Sequence, residues 1–253
     1  MLEKQLYYFV SDAHLGSRIK GRKQEDNIFL SFIQNLPKET KALYLLGDIF
    51  DYWYEYKYVV PRGHTRFLGE LAKLVDAGVE VHFFNGNHDI WTFDYLQTEI
   101  GVEVHDKPIV TEILDKKFYL AHGDGLGCFD RGYSFLQRVF KNKFIQKMFG
   151  AIHPRWSMAL GYAWSKKSRL SKADKHRNMV NSDVRCLPIF SHIDLLNVIR
   201  MADYYIAGHY HRPDYYRFKE GGELFMLGDW PTHCDYLVFD GETLKREIYS
   251  TNQ

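Results

Sequence analysis

Three short apolar runs separated by two amphipathic stretches of helical length decide what this chain can become. Leu6-Tyr7-Tyr8-Phe9-Val10, Ala42-Leu43-Tyr44-Leu45-Leu46 and the run from Val79 to Phe84 are short and bounded, as buried strands are. Between the first two, Glu25 to Leu36 sets Ile28, Phe29, Phe32, Ile33 and Leu36 at helical spacing before Pro37. Between the second and third, Arg66 to Ala77 aligns Phe67, Leu68, Leu71, Leu74 and Val75 and stops at Gly78. Strand, helix, strand, helix, strand requires crossover connections and therefore parallel pairing.

Beyond residue 100 the texture changes. Val102 to His105, Ile109 to Leu114 and Phe118 to Ala121 read as successive short strands, and Tyr204 to Ala207, Leu224 to Leu227 and Tyr236 to Phe239 repeat them near the end. The α/β pattern predicts two packed sheets with helices outside, in one domain over 1–253. Residues 128–201 differ again. They read as helical, with Phe135, Leu136, Val139, Phe140, Phe144, Ile145, Met148 and Phe149 on a wide apolar stripe. From Arg131 to Arg177 the segment carries twelve lysines or arginines against the single acid Asp174, while the whole chain has a net charge of only +1. It reads as an insertion, basic and apolar together. The near-neutral total argues against a chain that coats nucleic acid.

Each strand-like run of the α/β part is followed by a loop rich in oxygen and imidazole donors. Ser11-Asp12-Ala13-His14 follows the first run, Gly47-Asp48-Ile49-Phe50-Asp51 the second and Gly86-Asn87-His88-Asp89 the third. His122-Gly123-Asp124 follows Phe118 to Ala121, and Gly208-His209-Tyr210-His211 follows Tyr204 to Ala207. Any one of these could be an ordinary turn. Parallel strands, however, bring their C-terminal ends to one edge, where α/β sheets place ligands. That edge would gather Asp12, His14, Asp48, Asn87, His122, His209 and His211. In an extended chain Asp12 and His14, and likewise His209 and His211, point the same way. Seven mixed donors are too many for one ion and suit two, of the Mn²⁺, Fe²⁺ or Zn²⁺ kind.

Taken in order, Asp12-x-His14, Gly47-Asp48-x-x-Asp51, Gly86-Asn87-His88-Asp89, His122-Gly123-Asp124 and Gly208-His209-x-His211 resemble the motifs of the calcineurin-like metallophosphoesterases. The resemblance implies a four-layer αββα sandwich with a helical cap insertion and two divalent ions, Mn²⁺ being expected and Fe²⁺ or Zn²⁺ the alternatives. It implies that Asp12, His14, Asp48 and His211 hold one ion, that Asp48, Asn87, His122 and His209 hold the other, and that Asp48 bridges. Two such ions would clamp a phosphoryl oxygen and give a nucleophile at neutral pH without a side-chain base. His88 is then the candidate proton donor to the leaving oxygen. Asp51 resembles the carboxylate that orients this imidazole in family phosphatases, a pairing that would favour its protonated form.

A longer similarity is to the UDP-2,3-diacylglucosamine pyrophosphohydrolases of bacterial lipid A synthesis. It rests on Asp130, eight residues after His122, on Ser165, Arg169 and Lys172 at spacings resembling cap substrate contacts, on His209-x-His211-Arg212-Pro213 and on Leu227-Gly228-Asp229-Trp230. It implies cleavage to UMP and a diacylglucosamine 1-phosphate, with Asn87, His88, Asp130, Ser165, Arg169, Lys172 and His209 touching a nucleotide-linked glycolipid. His88 stands where the best-known members have arginine, and Arg169 where they have asparagine. A phosphodiesterase or phosphatase acting on a soluble nucleotide or phosphoprotein is the alternative, and a non-catalytic scaffold on the same fold a remote one. The three cysteines, Cys128, Cys186 and Cys234, are odd in number and far apart, which fits thiols in a reducing compartment. No run reaches the roughly 18 apolar residues of a membrane span. A cytoplasmic enzyme is expected, with peripheral contact to the cytoplasmic face of the inner membrane through the basic, apolar insertion.

Overall fold

A computed structural model describes residues 5–17, 23–127, 131–179 and 182–250. The three founding runs form β1 (Leu6–Val10), β2 (Thr40–Leu45) and β3 (Glu80–Phe84), linked by α1 (Lys23–Gln34) and α2 (Thr65–Asp76). They pair in parallel, as the crossovers require, and β4 (Glu103–His105) extends them in parallel. A hairpin of β10 (Asp235–Phe239) and β11 (Leu244–Ile248) lies antiparallel on the other side of β1, giving the order β11-β10-β1-β2-β3-β4. The second sheet comprises β5 (Ile109–Ile113), β6 (Lys116–Ala121), β7 (Tyr204–Ala207), β8 (Asp214–Arg217) and β9 (Glu223–Met226), ordered β5-β6-β7-β9-β8 with β6, β7 and β9 parallel.

Both faces of β1 are buried, which is why its sequence is continuous rather than alternating. Tyr8 and Val10 pack with Phe29, Phe32, Phe67 and Leu71 of α1 and α2. Tyr7 and Phe9 face the other sheet, where the Phe9 ring stacks on Tyr44 of its own sheet (4.9 Å) and on Phe118 of the second (5.6 Å). The outer face of the second sheet is covered by α6 (Pro188–Val198), whose buried Ile189 and Ile193 pack with Tyr205, Leu224 and Met226. The four layers α, β, β, α are therefore all present.

The segment counted from sequence as one insertion over 128–201 divides at this point. Its last part, α6, is a layer of the sandwich. The remaining described helices are α3 (Arg131–Phe140), α4 (Lys143–Gly150) and α5 (Pro154–Met179). They rest on the loops after β2 and β3 through Tyr52, Tyr54, Trp91, Phe140, Phe149, Met158 and Tyr162. Asn142 separates α3 from α4 by capping the latter, its side chain accepting from the amides of Phe144 (2.9 Å) and Ile145 (3.3 Å). Cys186 and Cys234 are free thiols. Cys128 lies outside the described residues.

Candidate metal centre

The five loops do meet. They follow β1, β2, β3, β6 and β7, all parallel members of their sheets. Backbone bonds lace the first two together, Asp12 donating to Gly47 O (3.0 Å) and His14 to Asp48 O (2.9 Å). Gly208 donates to His122 O at 2.9 Å, and His209 N reaches across the sheets to Asp12 Oδ2 at 2.9 Å. This approach is close enough to exclude side chains. A Cβ at Gly86 would collide with the Asp48 carboxylate, and one at Gly208 with Ser11 and Asp12.

The expectation that Asp12 and His14 sit on extended backbone is not met. Both are left-handed (φ 53° and 49°), as are Asp48 (53°), His209 (69°) and His211 (50°). Non-glycine residues adopt that region at a cost, and such strain gathers at functional sites. Here it aims the donors. His14 Nε2 and His211 Nε2 are 3.1 Å apart, His211 Nε2 is 3.1 Å from Asp12 Oδ1, and His14 Nε2 is 3.9 Å from the same oxygen. Donor atoms of Asp12, His14, Asp48 and His211 all lie within 4.8 Å of one another, as do those of Asp48, His122 and His209. Asp48 belongs to both groups.

Among the described residues, several buried donors lack a hydrogen-bond partner: His14 Nδ1, Asn87 Oδ1 and His122 Nε2. Buried polar atoms rarely stand so. His122 shows why the arrangement fits cations. Its Nδ1–H donates to Leu46 O (2.9 Å), which fixes the tautomer and turns Nε2 to within 3.5 Å of Asp48 Oδ2. Metal-ligating histidines are oriented in this way. Burial opposes charge on both, yet Asp48 raises His122 to about 10, and His122 and His88 hold Asp48 well below the usual carboxylate range. His14, in contrast, is pushed far below its ordinary value, first by burial and then by neighbouring cationic groups. The donor set of carboxylates, imidazoles and an amide suits two divalent ions.

Asp89, which the sequence reading left without a role, is the strut of the centre. Its fully buried carboxylate accepts from the amides of Gly86 (2.8 Å), Asp48 (3.2 Å), Ile49 (2.8 Å) and Phe50 (3.2 Å), tying the loop after β3 to the loop after β2. Burial, with Asp48 beside it, raises Asp89 to about 7. Sequence cannot distinguish strut from ligand within Asn87-His88-Asp89, since all three are polar and adjacent.

His88 and Asp51 come together, but not as expected. His88 Nδ1–H points to the backbone carbonyl of Asp51 (2.9 Å) and to Ser165 Oγ (3.1 Å). Ser165 in turn donates to Asp51 Oδ1 at 2.9 Å. The Asp51 carboxylate pairs directly with Arg169, which also donates to Ser17 Oγ at 2.7 Å. Asp51 thus orients His88 through its main chain and through Ser165, and its charge is shared with a guanidinium. Arg169 is correspondingly buried in an ion pair instead of lining the cavity next to the centre. That cavity is lined by Tyr52, Asn87, His88, Trp91, Trp164, Ser165 and Ser168 among others. Ser168, three residues after Ser165 and so on the same helical face, escaped the sequence reading. Asp130 lies outside the described residues, and the Lys172 side chain is likewise not described.

The Arg169–Asp51 pair fastens α5 to the floor of the centre. Arg169→Ala strands a buried carboxylate and should cost about 3–5 kcal/mol. Denaturant unfolding of the metal-free variant measures it, and a wild-type midpoint would show that the pair does not hold the helix.

The sequence matches the family model described as calcineurin-like phosphoesterase over residues 7–213. The chain belongs to that family. Its members' dependence on divalent metals agrees with the donor clusters, and the fold is the family's two-sheet sandwich. A relative from Porphyromonas gingivalis, named UDP-2,3-diacylglucosamine hydrolase, is 41 % identical over 252 residues, 95 % of this chain and 96 % of its own. One of the same name from Neisseria meningitidis is 28 % identical across 93 % and 94 %. Among solved structures, a novel archaeal phosphodiesterase aligns over 97 % of this chain and 100 % of its own, at 13 % identity and TM-score 0.46.

Proposed function

We propose that the chain hydrolyses the pyrophosphate of UDP-2,3-diacylglucosamine, giving UMP and 2,3-diacylglucosamine 1-phosphate. The observation that carries this reading is the aromatic cavity that begins at Asn87 and His88 and runs out between Trp91, Phe140, Phe149, Leu160 and Trp164. A soluble phosphoester has no need of such walls, whereas acyl chains gain from every apolar contact. On the other flank of the centre, Asn85, Lys107, His122, Asp124, Gln137 and Lys141 line a polar cleft suited to a nucleotide. The two relatives named for this substrate support the assignment.

In this reading Asp12, His14, Asp48 and His211 hold one ion and Asp48, Asn87, His122 and His209 the other, with Mn²⁺ the best match to a mixed oxygen and imidazole set. When bound, the ions supply charge for a phosphoryl oxygen and water acidified to neutral pH. Every other part is the protein's own. Asp48 sets the spacing of the two groups. His88, whose ring is held at Nδ1 by Asp51 and Ser165, is the group assigned to deliver a proton to the leaving oxygen. Helices α3 to α5 act as a cap that excludes water from the apolar end.

Trp156, Leu160 and Trp164 form an exposed row at four-residue spacing on α5, and Phe144 and Met148 are exposed on α4. Lys143, Lys147, Arg155, Lys166 and Lys167 stand among them. We read this surface as the peripheral contact with an anionic membrane from which the lipid is drawn. Among the described residues no helix is long and apolar enough to cross one.

Mass-spectrometric detection of UMP from UDP-2,3-diacylglucosamine, beside UDP-glucose and an aryl phosphodiester, tests the assignment. A preference for the aryl ester would overturn it. Trp164→Ala removes about 1.5–3 kcal/mol of apolar burial and should lower kcat/KM for the lipid about 10- to 100-fold. Hydrolysis of the aryl ester should stay unchanged, and an equal loss on both would place Trp164 outside the lipid path.

A further inference from the structure

A second cluster of donors stands on β3 and β4 and shares no residue with the centre above. His82 of β3 is the register partner of Glu103 on β4, and His105 lies two residues further along the same strand. Residues at i and i+2 of a strand face one way, so all three side chains project from one side of the sheet edge. His82 Nδ1 is 3.1 Å from His105 Nε2 and 3.3 Å from Glu103 Oε2, and His105 Nε2 is 3.8 Å from Glu103 Oε1. One donor atom from each falls within 4.8 Å of the others.

The cluster is preorganised and accessible at once. The His82 ring stacks on Tyr44 at 4.5 Å and 6°, and lies near parallel to His105 at 5.4 Å and 25°. Burial, the largest influence on each, lowers both imidazoles from their ordinary value, which keeps their lone pairs available at neutral pH. The Glu103 side chain is 66 % exposed, leaving an open side for exchange with solvent. Two imidazoles with one carboxylate match three protein ligands of a tetrahedral zinc-type ion with water in the fourth place. Calcium and magnesium demand more oxygen than the cluster offers.

We propose that His82, Glu103 and His105 bind a zinc-class divalent cation that clamps the edge strand β4 to β3. The clamp has a mechanical purpose. Strand β4 is three residues long and, among the described residues, pairs only with β3. At its end His105 O accepts from Asn85 N at 3.0 Å, one residue before the loop that carries Asn87, His88 and Asp89. Fixing β4 therefore steadies the base of a catalytic loop without touching the reacting groups.

The test uses the full chain with its catalytic centre saturated by Mn²⁺. After addition of zinc and gel filtration, elemental analysis should find one further equivalent of zinc. The melting temperature should rise by about 5 °C when zinc is near a hundredfold over its dissociation constant. In Glu103→Gln, an exposed change that leaves the fold intact, both effects should vanish. Manganese content and aryl phosphodiester hydrolysis should remain. His105→Asn should likewise lose the bound zinc and the rise in melting temperature. A third measurement separates this site from zinc that displaces manganese: Asp48→Ala, emptied at the catalytic centre, should still retain one equivalent. No zinc beyond the centre, or equal retention in Glu103→Gln, overturns the proposal.

Discussion

Asp48→Ala is expected to release both cations and to lower hydrolysis of any phosphoester by at least about 10³-fold. Among the described residues Asp48 is the one shared by the group with Asp12, His14 and His211 and the group with His122 and His209, and in the latter it supplies the only carboxylate. Without it, that group offers only imidazoles, to which the proposed assignment adds the Asn87 amide, and these bind a divalent ion far more weakly than a set that includes charge. The variant also loses the bond from His88 N to Asp48 Oδ1 at 2.8 Å, so His88, the proposed proton donor, should shift as well. The fold should survive, because Asp89 still gathers the amides of both loops and is relieved of a like charge. Elemental analysis after dialysis, with circular dichroism as control, reads the outcome. Two ions retained by a folded Asp48→Ala chain would refute the shared-carboxylate arrangement.

His88→Ala should do the reverse, keeping both ions while the rate falls by roughly 10²- to 10⁴-fold. The imidazole belongs to neither donor group that contains Asp48. Its Nδ1 is engaged by Asp51 O and Ser165, which fixes the ring beside the donor groups. His88→Arg distinguishes two contributions, since arginine keeps the charge but cannot give up a proton near neutral pH. Recovery of most of the rate in His88→Arg would mean that charge, and not proton transfer, is the larger part. Normal turnover by His88→Ala would end the acid role altogether.

How much of this was legible beforehand follows from where the information resides. The metal-type loops were readable because each is local, a strand of continuous apolar residues followed within a few positions by carboxylate, amide and imidazole. The family match, the two-sheet fold and the reaction class agree with that reading. Strands β8 and β11 were missed because they are edges with little apolar content, Asp-Tyr-Tyr-Arg and Leu-Lys-Arg-Glu-Ile. The engagement of Asp51 was misjudged for a different reason. Its partner Arg169 is 118 residues away, and only the docking of α5 decides that the carboxylate meets a guanidinium there. The helix α6 was grouped with its basic neighbours by position in the chain, although Ile189 and Ile193 bind it to the second sheet.

The five left-handed backbones at Asp12, His14, Asp48, His209 and His211 also set a limit on engineering. Glycine adopts that conformation freely, so at each of these positions the substitution that best relaxes the main chain is the one that removes a donor. A search for heat-resistant variants scored on folding alone would be drawn to these sites and, by the proposed ligand assignment, would return inert proteins. Robustness in this chain has to be sought elsewhere, in its helices and outer strands.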